Sequence, residues 1–447
     1  MRGLRFSGWR TMIVTTLLLW SSTVAVGAAD AGPSKEDRVD RPSINIVGDS
    51  QFNPANGVRS GSGTRHDPFV ISNWRVSSVS IRDTDAYVVI RDNDITGQLR
   101  LNWNGDRTTV VRNTIGDLRV NQNIERTGDA TGGRIANNTF GIVGQLRHFD
   151  GVFENNTVTG DESIFAGVFS NQAVQFDGFH GSRFRNNTIY GFVDVKLHGH
   201  HHGSGFNQGS HYHGGAAEEG EKEEAHAMHG PDVDHTKRYH EVFITNNKIF
   251  ADGDYALRYT DQAHAGDDRT APSETNPDLN KSHVHFTRVH LVGNTLTGAG
   301  LMVDIFNAKD ERHTGTSTGL VDIRNNVITL ERSSNDQLWM SRKDGISVLR
   351  AVDAMVMIGG NSITGEAPED RDLLDEQLAN DAGIYLGDVD KADIHIGSNS
   401  VENLLYGVRA AHMTKTVHWW IHDLSTTGVA QAVYYDNTVE NHPERGQ

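Results

Sequence analysis

Ten of the chain's 23 histidines fall between His198 and His240. Gly and Ser separate them, and Glu218-Glu219-Gly220-Glu221-Lys222-Glu223-Glu224 interrupts the run. Neutral imidazole is the commonest protein ligand for zinc and copper, and a Gly-rich chain can gather several rings around one ion. His198, His200 and His202 alternate outward from the end of a short strand-like run, and His211 and His213 can join them. These five are the candidate ligands for a divalent transition metal, copper or zinc. No His-Glu-x-x-His spacing is present, so a preformed catalytic zinc site is not indicated. Low-selectivity buffering, or a solvated loop with adventitious affinity, accounts for the same composition. A second pair, His283 and His285, shares one outer face of the run Lys281-Ser282-His283-Val284-His285-Phe286, either as ligands or as plain exposed strand residues. Asp267, Asp268 and Asp278 offer oxygen ligands to calcium, a weaker candidate without EF-hand spacing.

Acid–base chemistry is the other possibility. The segments Tyr190–Leu197, Asp254–Tyr259 and Gly300–Ile305 align as successive strands. Val195, Leu257 and Val303 then point inward, and Lys196, Arg258 and Asp304 stack on the outer face. One coil earlier, Gln175 and Asp177 lie on a comparable face. Removing a proton alpha to a carboxylate needs a base, a donor near the leaving oxygen and a positive group for the enolate-like charge. Lys196 is the candidate base, Arg258 the charge stabiliser and His198 a second acid/base. A hydrolase would instead use two carboxylates across the bond, here Asp194 and Asp304. The plain alternative is a set of solvated ion pairs on an outward strand face.

A repeated phrase supplies the scaffold. It runs Arg91-Asp92-Asn93-Asp94-Ile95, Val111-Arg112-Asn113-Thr114-Ile115, Ile135-Ala136-Asn137-Asn138-Thr139-Phe140, Phe153 to Val158 and Phe184 to Ile189. It continues at Ile244, Leu291, Ile323, Ile358, Ile396 and Tyr435, giving eleven copies in all. The apolar residues flank a tight bend and point into a common interior. Asn at the bend tolerates the left-handed backbone region and bonds to its own main chain. Stacked Asn side chains can also bond to one another in a ladder. Early copies recur at about 20 residues, a solenoid period, and later coils are lengthened by insertions. Short alternating runs such as Val193–Leu197, Leu301–Ile305 and Ile346–Val348 carry the strand signal. Hairpin dipeptides are scarce, which disfavours a sandwich or propeller. The expectation is an all-β, single-domain right-handed parallel β-helix with long loop insertions on one side. Eleven coils at ~4.8 Å would make a rod near ~50 Å long.

The stretch Gly61-Ser62-Gly63-Thr64, Asp67-Pro68, Val70-Ile71 and Trp74 would close one end, and Val417–Ile421 with the last coil would seal the other. This opening followed by Asn-Asn-Thr coils resembles the NosD/CASH-type β-helix proteins, and the likeness covers most of the mature chain. It implies the fold strongly and the activity weakly, because that group spans accessory proteins of copper-enzyme maturation, sugar-processing enzymes and surface proteins. Beta-helix lyases are similar to the arrangement above in drawing Lys and Arg from adjacent coils.

The first residues have the form of a processing signal. Arg2, Arg5 and Arg10 precede the apolar run Met12–Trp20, too short for an ordinary membrane span, and Val24–Ala28 supplies small residues for cleavage after Ala28. An uncleaved anchor is the alternative. The expected organisation is 1–28 signal peptide, 29–43 flexible lead-in, 44–441 β-helix with its N-terminal cap and the 198–240 insertion, and 442–447 tail. Pro368–Leu378 has the pattern of a short helix lying on the solenoid. A net charge of −17 disfavours nucleic-acid or anionic-membrane partners. The absence of cysteine excludes disulfides and thiolate metal sites.

Three functions follow as expectations for a secreted or periplasmic protein with no transmembrane segment in its mature chain. The first is action on, or binding to, a polysaccharide, as in a uronate lyase or epimerase, through a polar groove beside the His-rich loop. The second is non-enzymatic metal binding of the NosD kind, with divalent metal ions as partners. The third is surface glycan binding.

Overall fold

A computed structural model describes residues 38–102, 107–121, 133–147, 149, 151–160, 172–177, 182–198, 239–251, 255–262, 286–305, 319–331, 344–351, 354–365, 381–435 and 444–445. His200, His202, His211, His213, His283, His285, the Asp267-Asp268-Asp278 group and the Pro368–Leu378 segment lie outside these residues.

Each coil begins at a corner built from two adjacent residues with different tasks. The first takes a left-handed backbone: φ is 59° at Asp92, 57° at Asn186, 56° at Asn246 and 66° at Gly360. The second, in the corners from Asn93 to Asn399, is a buried Asn. From Asn93 through Asn113, Asn138, Asn156 and Asn187 the amide Nδ2 of each donates to Oδ1 of the next at 2.9–3.2 Å. The column continues through Asn247, Asn294, Asn326, Asn361 and Asn399. The left-handed position therefore accepts Asp, Arg, Asn, Ser or Gly, whereas the ladder position holds Asn throughout. A primary amide explains that restriction, because it accepts and donates at once in a place without water.

After the corner the chain runs through a short strand and a longer one, both in a 23-stranded sheet, and then a strand of a 13-stranded sheet that returns to the next corner. Thr188–Tyr190, Phe192–His198 and Tyr239–Thr245 form one such coil, followed by Lys248–Phe250, Tyr255–Gln262 and Phe286–Val292. Every strand pairs in parallel with its counterpart one coil away, as in Val193 with Leu257 and Leu257 with Leu301. Among the described residues the one antiparallel contact is the isolated Ser60–Val70 bridge, and no α-helix occurs. The protein is an all-β parallel β-helix. Thirteen strands in the second sheet at ~4.8 Å make it about 60 Å long.

Alternation turns one set of side chains into a single buried cluster running from Ile44 to Ile421. Phe140, Phe153, Phe176 and Phe184 fill its middle, with ring centroids 4.8–5.8 Å apart. At the first coils Phe52 stacks on Phe69 at 4.5 Å, and Trp74 Nε1 donates to Gly57 O at 2.8 Å.

One repeat copy falls elsewhere than its pattern suggests. Tyr435 ends the long strand Gln431–Tyr435, which pairs with Tyr406–Met413, whereas the other copies open on the end of a second-sheet strand; the rest of this copy lies outside the described residues. The last described corner is instead His422-Asp423-Leu424, where Asp423 is left-handed at φ 50° and no ladder Asn follows. Short polar phrases lose their meaning where the hydrophobic context of the strand differs.

Segments 199–238, 263–285 and 306–318 each join a long strand to the next strand of the second sheet, so all three leave from one corner of the coil. Segments 161–171, 332–343 and 366–380 each join a short strand to a long one. Insertions therefore depart from both ends of the long-strand face.

Candidate functional site on the long-strand face

Outward positions of the long strands form two lanes along the rod. One passes through Arg100, Arg119 and, further on, Gln175, Asp194, Arg258, Met302, Ser347, Tyr385 and Arg409. The other contains Asp177, Lys196, Thr260 and Asp304. Lys196 thus stacks on Thr260, while Arg258 stacks on Asp194 on one side and Met302 on the other. This corrects the alignment read from sequence, in which Lys196, Arg258 and Asp304 formed one stack and Leu257 stood between Val195 and Val303. Tyr259, fully buried, holds that inward place instead. The middle coil is displaced by two residues. A two-residue slip keeps every side chain on its own face, so alternation alone could not detect it.

The displacement changes the partners. Asp194 is the hub, with its side chain 2% exposed. Arg258 donates to both of its oxygens, Nε to Oδ1 and a terminal nitrogen to Oδ2, each at 2.9 Å. Lys196 Nζ stands 3.2 Å from Asp194 Oδ2. The hydrogen bond to Asp194 holds the Arg258 guanidinium above its ordinary value against the opposing effect of burial, and the charge of Asp304 adds to it. Asp304 binds Arg350 of the following coil, whose Nε donates to Oδ1 at 2.7 Å and whose second nitrogen meets Oδ2. That contact likewise raises the Arg350 value. Arg350 escaped the sequence reading because the strand alignment stopped one coil short of Ile346–Leu349. His198 ends the strand Phe192–His198 and pairs in register with Gln262.

Carboxylates lie beneath and cations above. Asp194 and Asp304 are buried, whereas Lys196, Arg258 and Arg350 are 29%, 35% and 45% exposed at their side chains. Asp117 under Arg119 repeats the pattern. Further along the same lane Arg409 lies 5.6–5.9 Å from the ring centroids of Tyr385, Tyr406 and Tyr434. Tyr406 stacks on Tyr434 at 4.8 Å. The face is therefore basic and aromatic on a chain that is acidic as a whole.

Across the corner from which the His-rich insertion leaves, the second sheet carries a polar cluster that the sequence reading missed. His290 has Nδ1 3.1 Å from Asp322 Oδ2 and Nε2 3.1 Å from Glu241 Oε1, and its ring stacks on Phe243 at 4.8 Å. Arg324 holds Asp322 from the other side. The outward alternation Glu241-x-Phe243 against Arg288-x-His290 was the available signal. Among the described residues no three His, Cys, Asp or Glu side chains gather in metal-binding geometry. No described helix is long and apolar enough to cross a membrane.

Fold and face together define a class, a parallel β-helix protein with a basic, aromatic-edged lane along its long strands. Comparison of the chain with protein-family models, with curated proteins and with solved structures finds no match in any of the three.

Proposed function

We propose that this protein binds a carboxylated polysaccharide along its long-strand face and acts on it by proton transfer, as a uronate lyase or epimerase does. The observation that carries the reading is the layering of charge: buried Asp194 and Asp304 support Arg258, Lys196 and Arg350, which point outward. A net charge of −17 repels polyanions in general, so a basic lane selects one that can lie along it. Extended sugar chains suit a rod whose lanes run for several coils, and tyrosine rings offer flat faces to the C–H side of a pyranose. On a bound uronate Arg258 would hold the enolate-like charge, and Lys196 and His198 would carry the proton.

The test is binding and turnover with polygalacturonate and alginate beside a neutral glucan. Tighter binding of the uronates, weakened about tenfold or more by Arg258→Ala, supports the reading. Formation of a conjugated double bond or an inverted C5 centre that disappears in Lys196→Ala supports the chemistry. Equal binding of the neutral polymer sinks the proposal. Uronate binding with no turnover leaves a glycan-binding surface protein.

A second reading rests on the ten histidines between His198 and His240. Under it the chain is a metal-binding protein of the NosD kind that takes copper or zinc on that segment. Excising residues 199–238 would then abolish tight binding of divalent metal and leave the coils folded.

A further inference from the structure

The strands Ala354–Gly359, Asp393–Gly397 and His418–His422 of the second sheet lie side by side. Val356, Ile358, Ile394, Ile396, Trp419 and Ile421 are their buried residues. Their outward residues form a small grid. Met357 pairs with His395 and His395 with Trp420, while Met355 pairs with Asp393 and Asp393 with His418. Met355 and Met357 are 45% and 37% exposed. Two long thioethers offered to water on a strand that already buries its other face gain little from packing, and β propensity does not favour them. The His395 ring stacks on the Trp420 indole, with centroids 4.5 Å apart and planes 13° from parallel.

In-register neighbours on adjacent strands are ~4.8 Å apart, and diagonal ones are still within reach of long side chains. Methionine, with three rotatable side-chain bonds, can bring its sulfur to a shared point. We propose that Met355, Met357 and His395 form a binding site for a soft monovalent transition ion, Cu(I), with the Trp420 indole stacked behind the imidazole and fixing its plane. Thioether sulfur selects Cu(I) over Zn²⁺ and Ca²⁺. His418, outward on the same strand as Trp420, stands at the rim. Phe243, on the strand that follows the His-rich segment, lies three coils, about 14 Å, from Met357. The site is independent of polysaccharide binding on the other sheet.

The experiment loads the full chain with Cu(I) under reducing conditions and combines copper X-ray absorption with competition by a Cu(I) chelator. The expected wild-type spectrum contains a sulfur shell. The double variant Met355→Leu, Met357→Leu keeps side-chain volume and unfolding midpoint, loses that shell and holds one Cu(I) fewer. His395→Gln weakens Cu(I) retention at least tenfold with Zn²⁺ binding unchanged. Met228→Leu, which removes the sulfur within the His-rich segment, leaves the shell intact. Persistence of the sulfur shell in the double leucine variant, equal copper content in both proteins, or no Cu(I) held against the chelator would overturn the assignment.

Discussion

Asn247 shows how much one side chain does in this fold. Its Oδ1 accepts from the backbone N–H and from Nδ2 of Asn187, while its own Nδ2 donates to Asn294 Oδ1 and to Phe184 O. Asn247→Ala strips partners from several buried groups at once, and unsatisfied buried groups cost about 1–3 kcal/mol each. The expected loss is about 3 kcal/mol, read as a lower urea midpoint. Substitution of its left-handed neighbour Asn246 by Gly should cost far less, because only backbone conformation is required there. Asp194 poses a different question, since it neutralises two half-exposed cations. Asp194→Asn should destabilise by about 1–2 kcal/mol, discounted for the exposure of Lys196 and Arg258. The same change should tighten uronate binding, as the face becomes more positive. Lower stability with unchanged or weaker binding would count against the basic-lane reading.

Neighbouring strands are tied by charge as well as by backbone. Glu154 bridges Arg134 of the preceding coil and Arg185 of the following one at 2.9 and 2.7 Å. Burial alone would push its carboxyl upward, but the hydrogen bonds from Arg185 and Arg134 and their charges leave it below its ordinary value. A carboxylate depressed on folding adds stability above its unfolded pKa of about 4.3, and that stability is lost as pH falls through the folded value. Glu154→Gln should therefore lower the thermal midpoint at pH 7, with the gap to the parent protein narrowing below about pH 4. A gap constant from pH 7 to pH 3 would show that the bridge contributes packing only. The long strands carry a subtler lesson. Their alternation tells inside from outside, yet Tyr255–Gln262 pairs two residues away from the position its pattern suggests. The residue types at Lys196, Arg258 and Asp304 were legible; their contacts were not.

At the scale of the molecule the rod separates opposite tendencies. The chain is acidic overall, but buried carboxylates leave guanidinium and ammonium groups outermost on one face. Binding to a polyuronate should weaken steeply as salt rises, since exposed charges are screened over ~8–10 Å at 0.1–0.15 M. The double variant Arg258→Ala, Arg350→Ala should bind more weakly at low salt and show a shallower salt dependence. Titrations at several ionic strengths read both effects, and a salt-independent affinity would point to ring stacking alone.

Much of this architecture is written locally. A corner needs a residue that tolerates positive φ followed by one amide that can donate and accept, and strands need alternation, so an Asn pair with an apolar residue two places further on marks a coil where a second-sheet strand precedes it. These are requirements on neighbours along the chain, and the amino-acid order contains them. Register between coils is another matter. It depends on how Tyr259, Val195 and Val303 fill a shared interior and on insertions whose length bears no relation to the coil, and a slip by two residues is invisible to any pattern of period two. Pairing of Asp194 with Arg258, of Asp304 with Arg350 and of Met357 with His395 therefore belongs to the tertiary structure, because only stacking brings together residues 38 to 64 positions apart.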